Sequence, residues 1–467
     1  MAGDGGAAGN GGVPVMTGRP VMAGCVFVSI LFAMNHYRRL SFFVGAIVCV
    51  IVLLSRCMQP GPDESGDPRG PAYAGMQTCV HCHAAIGHSY VHAAHALTSR
   101  IADLSTVKGP FAPPGNEFVY GPGRKVVLEK RDSGLFQVAI TSHGQEAHRF
   151  DIAVGSGRKA QTYLYWKGDA VYQLPVSYFL TEHSWANSPH YPADSIWFGR
   201  AVEVNCFECH GSYIRTKPMI HTDAFHGLSQ FDRAQVVYGV DCERCHGPGA
   251  LHATWQEAHP DDRQGRYIAR FATLTRQQRL DVCAVCHSGD HAERQRSMFR
   301  FQPGDTLSNF YFADPRYSRT AAQTDVHGNQ YGVLVASKCY LQTKTLECGS
   351  CHNTHVQERD NLMVFARRCM NCHAPAEHGL AGAAAEGSTA AGAMAAATRA
   401  PFCRLAASVD TQFLISNCID CHMPARASRA ITMLTQEQKD PVADLVRSHY
   451  ITIYPEETKK RLALRHH

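Results

Sequence analysis

Apolar positions in this chain fall mostly in short runs, and the two longest lie close together near the start. Residues 21–34 and 41–54 are each apolar, with Asn35-His-Tyr-Arg-Arg39 between them. Both are shorter than the roughly 20 residues a membrane helix prefers. The second run follows basic residues and has the form of a secretion signal. Residues 1–20 are Gly-rich and read as disordered. Met34 opens a complete signal of its own, so a start at Met34 and a start at Met1 both stay open. The run ends Leu53-Leu54-Ser55-Arg56-Cys57, which looks like a lipoprotein box except for Arg56. Three outcomes follow for the segment 41–55: a lipid on Cys57, an uncleaved anchor helix, or a cleaved signal. Residues 58–72, rich in Pro, Gly and Asp, read as a tether.

Further along, the pattern becomes that of strands. Residues 126–128, 136–140 and 150–154 are β-favouring runs. Residues 163–166 and 170–174 flank Lys167-Gly168-Asp169, a hairpin signal. After residue 200 the periodic stretches are few, and residues 274–285 and 436–449 read as short helices.

Composition changes this picture through one residue type. The chain of 467 residues holds 19 cysteines and 27 histidines, with 45% hydrophobic and only 18% charged residues. Seven segments share one pattern. They are Cys79-Val-His-Cys82-His83, Cys206-Phe-Glu-Cys209-His210, Cys242-Glu-Arg-Cys245-His246, Cys283-Ala-Val-Cys286-His287, Cys348-Gly-Ser-Cys351-His352, Cys369-Met-Asn-Cys372-His373 and Cys418-Ile-Asp-Cys421-His422. CxxCH is the attachment sequence of c-type haem. Two thiols three positions apart on one helical turn reach the two vinyl groups of a porphyrin, and the next residue places an imidazole under the iron. Zinc, which CxxC pairs also bind, gives no reason for His to follow every pair. A thioredoxin-like redox role would not be repeated seven times in one chain. The expectation is therefore seven covalent haem c groups, with His83, His210, His246, His287, His352, His373 and His422 as proximal iron ligands. Haem attachment takes place outside the cytoplasm, so the chain is expected on the periplasmic side of a membrane, held by an N-terminal helix or lipid. The formal charge of +5 would be offset by the haem propionates, and Lys and Arg form no long basic run; nucleic acid is not an expected partner.

The spacing of the motifs organises the chain. The expected divisions are 1–57 for the leader, 58–72 for the tether, 73–116 for a first haem segment and 117–200 for a β-rich unit. A six-haem region then covers 201–450, with an Ala/Gly-rich insert at 379–400, and 451–467 form a tail. The expected fold class is mostly α and irregular, packed around haems, with a small antiparallel β-subdomain inserted between the first and second motifs.

The wider context of the motifs resembles a known family. Tyr73-Ala-Gly-Met-Gln-Thr-Cys79 with the first motif, followed by Ala94-His95-Ala96, resembles the opening of the cytochrome c-554-like multihaem family. Gly155-Ser-Gly157, Tyr163-Leu164 and Gln173-Leu-Pro175 resemble a linker found among its members. Cys242 to Gly249 with His252, Cys348 to His355, and Asn417 to Pro424 are similar to three further signatures. The likeness spans about residues 73 to 450. It implies electron transfer through bis-histidine haems and places distal iron ligands at His95, His252 and His355. His252 and His355 lie too close behind their own motifs to swing to the far face of the same ring, so they are expected to serve a neighbouring haem. His226, His327 and His449 are further distal candidates from their local settings. His88 and His92 compete with His95, and His221 with His226. Met423 follows His422 directly and cannot reach the opposite face of its own haem. Relatives carry cysteines near the positions of Cys339 and Cys403, and an oxidising compartment favours their pairing; two free buried thiols are the other reading.

Two functions compete. In one, the chain carries electrons between respiratory partners, either other redox proteins or a membrane quinol/dehydrogenase module, alone or as a complex subunit. In the other, it is a multihaem oxidoreductase acting on a small nitrogen or sulfur compound at one open-coordinated haem, with Arg200, Tyr213 and Arg215 as loose candidates for that pocket. A purely structural role is a third, weaker option.

Overall fold

A computed structural model describes residues 66–464, apart from 224–226, 290–292, 313–327, 374–401 and 437–439. The expected leader and anchor, most of the tether, the Ala/Gly-rich insert, His226 and His327 lie outside the described residues. Among the described residues no helix is long and apolar enough to cross a membrane.

Strands dominate the region between the first two motifs. Four of them, β2 (Glu117–Gly121), β3 (Arg124–Arg131), β4 (Gly134–Thr141) and β5 (Gly144–Arg149), pair in sequence as an antiparallel meander. The remainder belong to a larger sheet. It takes in β1 (Ser99–Ile101), β6 (Ile152–Val154), β7 (Ala160–Lys167), β8 (Ala170–Gln173), β9 (Val176–Phe179) and β10 (Ser184–Asn187). The Lys167-Gly168-Asp169 turn joins β7 to β8, with Lys167 opposite Ala170 and Gly168 at φ +61°. Positive φ at no steric cost is what glycine supplies in a two-residue hairpin turn.

The β-favouring runs read from the sequence lie on strands; burial alternates along β2 and β3, whereas β4 and β7 each bury three residues in succession. Val126 and Leu128 on β3, and Tyr163 and Tyr165 on β7, point into one core with Phe150 and Trp185. Phe150, Tyr163 and Trp185 rings meet there at centroid separations of 4.7–6.3 Å. Edge-on and tilted aromatic packing of this kind adds stability beyond area burial.

The expected fold class is corrected by the other end of the chain. The large sheet does not stop at β10. It continues into β13 (Ala425–Thr435), through Ala186 opposite Thr435, and on to β14 (Val442–Arg447), eight strands in all. A separate hairpin, β11 (Gly211–His221) with β12 (Gly227–Tyr238), lies between the second and third motifs. The protein is thus built on a large curled antiparallel sheet with helices around it, rather than being mostly helical with a small β insert. Residues 436–449, expected to be helical, contain β14. Val442, Leu445 and Val446 fit a helical stripe, but pairing with β13 decides the outcome, as tertiary context does for short segments. In β11 Pro218 and a row of exposed side chains hide the strand pattern.

Candidate functional site

Most of the CxxCH motifs lie on short helices. These are α1 (Met76–Cys82), α2 (Val204–His210), α3 (Cys242–His246), α4 (Arg276–His287), α5 (Leu362–His373) and α6 (Cys418–His422). The fifth motif makes a single 3-10 turn, Cys348–Ser350. On a helix the two cysteines of a motif stand about one turn apart on one face. Helix α4 is the most firmly seated. Thr275 and Gln278 close a capping box at its start, and Leu280 and Ala284 are fully buried.

The histidines meet in twos. His83 lies against His252 with ring centroids 6.4 Å apart and planes within 10°. His246 faces His355 at 6.0 Å and 18°. His352 faces His449 at 6.0 Å and 32°. His95 meets His287 at 6.2 Å, nearly perpendicular. Each pair joins one motif histidine to one histidine from another motif's segment. The histidine opposite the first motif follows the third, and that opposite the third follows the fifth. The fourth motif faces a residue that follows the first, and the fifth faces one that follows the seventh. Among the described residues no three His, Cys, Asp or Glu side chains gather as a metal cluster.

This spacing is a direct test of fit. An iron held between two imidazoles needs two metal–nitrogen bonds of about 2 Å plus the depth of each ring, which together span about 6 Å. The pairs leave that span, and either mutual orientation of the planes suits it. The electrostatics agree. Burial, and then neighbouring histidines, pushes the imidazoles of His95 and His449 down to about 4. Burial likewise lowers His246, His352 and His355. A neutral imidazole is the form that ligates a metal. Backbone carbonyls fix the tautomer at two rings: His252 Nδ1 donates to Arg266 O and His422 Nδ1 to Thr452 O, both at 2.9 Å. A donating Nδ1 leaves the Nε2 lone pair for a metal.

Burial pushes the thiols of Cys245 and Cys351 up to about 11 and that of Cys369 up to about 12, whereas hydrogen bonds with Cys79, Cys209 and Cys283 lower the thiols of Cys242, Cys286 and Cys348. Thiols from different motifs also touch: Cys79 with Cys242, Cys209 with Cys286, and Cys283 with Cys348. The motifs therefore stand close to one another, as cofactors sharing a common interior require. A cavity of about 2540 Å³ is lined by Cys209, Cys286, Cys348, Cys372 and Cys421 together with the histidines of five motifs. A pocket for one drug-sized ligand holds about 300–1,000 Å³, so this space suits several large groups.

No family model and no curated protein matches the chain. It is similar to a solved structure described as the crystal structure of outer cell wall cytochrome OcwA, with a TM-score of 0.47 and 15% identity. The likeness covers 84% of this chain and 82% of that one.

Other candidates are placed as follows. His88 and His92 face each other edge-on at 6.1 Å, leaving His95 as the histidine of that segment that meets a motif. Cys339 and Cys403 are both free thiols lining the cavity. Cys339 lies near Cys372, whereas Cys403 lies near Cys418 and Cys421. Tyr213 packs on Phe299 at 5.5 Å, Arg215 reaches Pro68 O, and Arg200 donates to Pro189 O at the cavity wall.

The residues that sequence reasoning missed sit inside the motifs. Glu208, between Cys206 and Cys209, is 1% exposed. Its carboxylate pairs with Arg294 and accepts from Ser297 Oγ at 2.6 Å and Met298 N at 2.8 Å. Glu243, between Cys242 and Cys245, is buried in the same way. Nothing in the sequence marks either glutamate, since both stand at variable positions of the motif.

Proposed function

We propose that the chain is a c-type cytochrome carrying seven covalent haems, one on each CxxCH motif, and that it transfers electrons between redox partners on the outer side of a membrane. The observation that carries this reading is the histidine pairing: four motif histidines each face a second imidazole at a separation that admits one iron. Haem supplies a reversible one-electron iron couple.

The chain's own part is to hold and insulate that couple. The paired cysteines fasten each group. The opposed imidazoles would hold the iron of the groups on the first, third, fourth and fifth motifs from two sides. Burial and ligand identity would set the potential. The axial partners of the second, sixth and seventh motifs are not among the described histidine pairs. Residues 41–55 or Cys57 would fasten the protein to the membrane. Its partners would be other redox proteins or a quinol/dehydrogenase module, with this chain acting alone or as a complex subunit.

Electron paramagnetic resonance of the oxidised protein, with haem content by pyridine haemochrome, tests the reading. Seven haems per chain with low-spin ferric signals throughout is the expected result. A high-spin signal of one haem's intensity that shifts with nitrite, hydroxylamine or sulfite would move the function to an oxidoreductase at that iron.

A further inference from the structure

Helix α1 carries the first motif, and its N-terminal residue Gly75 has no side chain to cap it. The first backbone N–H groups of a helix need a partner from elsewhere. Here the partner is Glu243, from inside the third motif. Its Oε1 accepts from Ala74 N at 2.8 Å and from Gly249 N at 2.7 Å. Its Oε2 accepts from Gly75 N at 2.9 Å and from the Arg69 guanidinium at 2.8 Å. The side chain is 1% exposed, so it is wholly committed to these contacts. The consequence is visible at the cysteines, because Cys79 of the first motif touches Cys242 of the third. His252, nine residues beyond Glu243 in number, faces His83 of the first motif.

The same spot holds an excess of buried negative charge. Arg69 pairs with Asp67, Asp241 and Glu243 at 2.7–2.8 Å, one cation among three carboxylates. The nearest other guanidinium, that of Arg244, is turned to the carbonyls of Met298 and Glu208.

We infer that Glu243 is a positioning and tuning residue: it clamps the first attachment motif to the third, and its charge lowers the reduction potential of the haems carried there. This rests on the haem reading above. The positional role follows from the four hydrogen bonds. The tuning role follows from the sign of the charge, since a buried anion beside an iron favours the ferric form, which carries one more positive charge.

The test uses the full-length holoprotein and reads haem content, a spectroelectrochemical titration and Soret-region circular dichroism. Glu243→Gln removes the charge with little change of shape. It is expected to keep seven haems and to move one or two of the reduction steps to more positive potential. Arg69→Gln removes the opposing charge and is expected to move the same steps the other way. Mere loosening of the fold would not reverse sign between the two variants. Glu243→Asp keeps the charge but falls short of Ala74 and Gly75. It is expected to weaken the circular dichroism couplet of neighbouring porphyrins without the positive shift. Should one variant fail to accumulate, an absent shift in the other, or one opposite to the expected sign, overturns the tuning role. Seven haems with unmoved potentials in both charge variants, or a shift of one sign in both, overturns this inference alone. A wild-type protein without covalent haem overturns the cofactor reading and this inference with it.

Discussion

His449→Ala is expected to leave one haem in seven high-spin while all seven stay covalently attached. His449 lies just beyond β14, and its ring stands 6.0 Å from that of His352. The substitution removes that ring and leaves Cys348, Cys351 and His352 untouched. A ferric haem with one strong axial ligand is high-spin, so the paramagnetic spectrum should gain an axial signal of one haem's intensity. A spectrum unchanged in this variant would remove His449 from the ligand set and put another side chain opposite His352.

Glu208→Ala is expected to cost about 3–5 kcal/mol of stability, the range for breaking a buried ion pair on one side. The carboxylate is the shared acceptor for Arg294, Ser297 Oγ and Met298 N. Without it the Arg294 guanidinium is left largely buried with no counter-charge, and the Met298 amide loses its acceptor. The effect should appear as a large fall in the denaturant midpoint of the holoprotein. Glu208→Gln keeps the shape and part of the hydrogen bonding, so its loss should be clearly smaller. Equal losses in the two variants would mean that shape, and not charge, holds the segment from Arg294 to Met298 against the second motif.

The parts of this molecule that could be read from its sequence are those where chemistry repeats locally. Cys-x-x-Cys-His needs only one helical turn to be meaningful, so the seven copies of the motif are visible without a fold. Strands β3, β4 and β7 were legible because each is a run of β-branched, aromatic and other apolar residues bounded by turns; only β3 buries a single face with a period of two, while β7 sends Tyr163 and Tyr165 to one core and Leu164 to another. The capping box of Thr275 and Gln278 opens a helix that the apolar pattern also marks. What was hidden is what depends on distant neighbours. β13 joins β10 across about half of the chain, and its run of Ala, Arg and Ser carries no strand signal by itself. β14 has helix-compatible spacing and becomes a strand because β13 is beside it. The pairing of His95 with His287 rests on tertiary packing that sequence spacing does not encode. Glu208 and Glu243 were passed over because they occupy positions of the motif where any residue is allowed; only their burial reveals the roles.

The crossed partnership of the histidines has a consequence in time as well as in space. A chain is made from its first residue to its last, and the first motif meets His252 only after the third motif has appeared. The fourth is served by a residue made long before it, whereas the fifth waits for the end of the chain. No contiguous fragment that keeps one of these motifs and its immediate neighbourhood contains both imidazoles of that pair. A segment cut out around any one of these four motifs would therefore arrive without the imidazole that faces it in the whole chain.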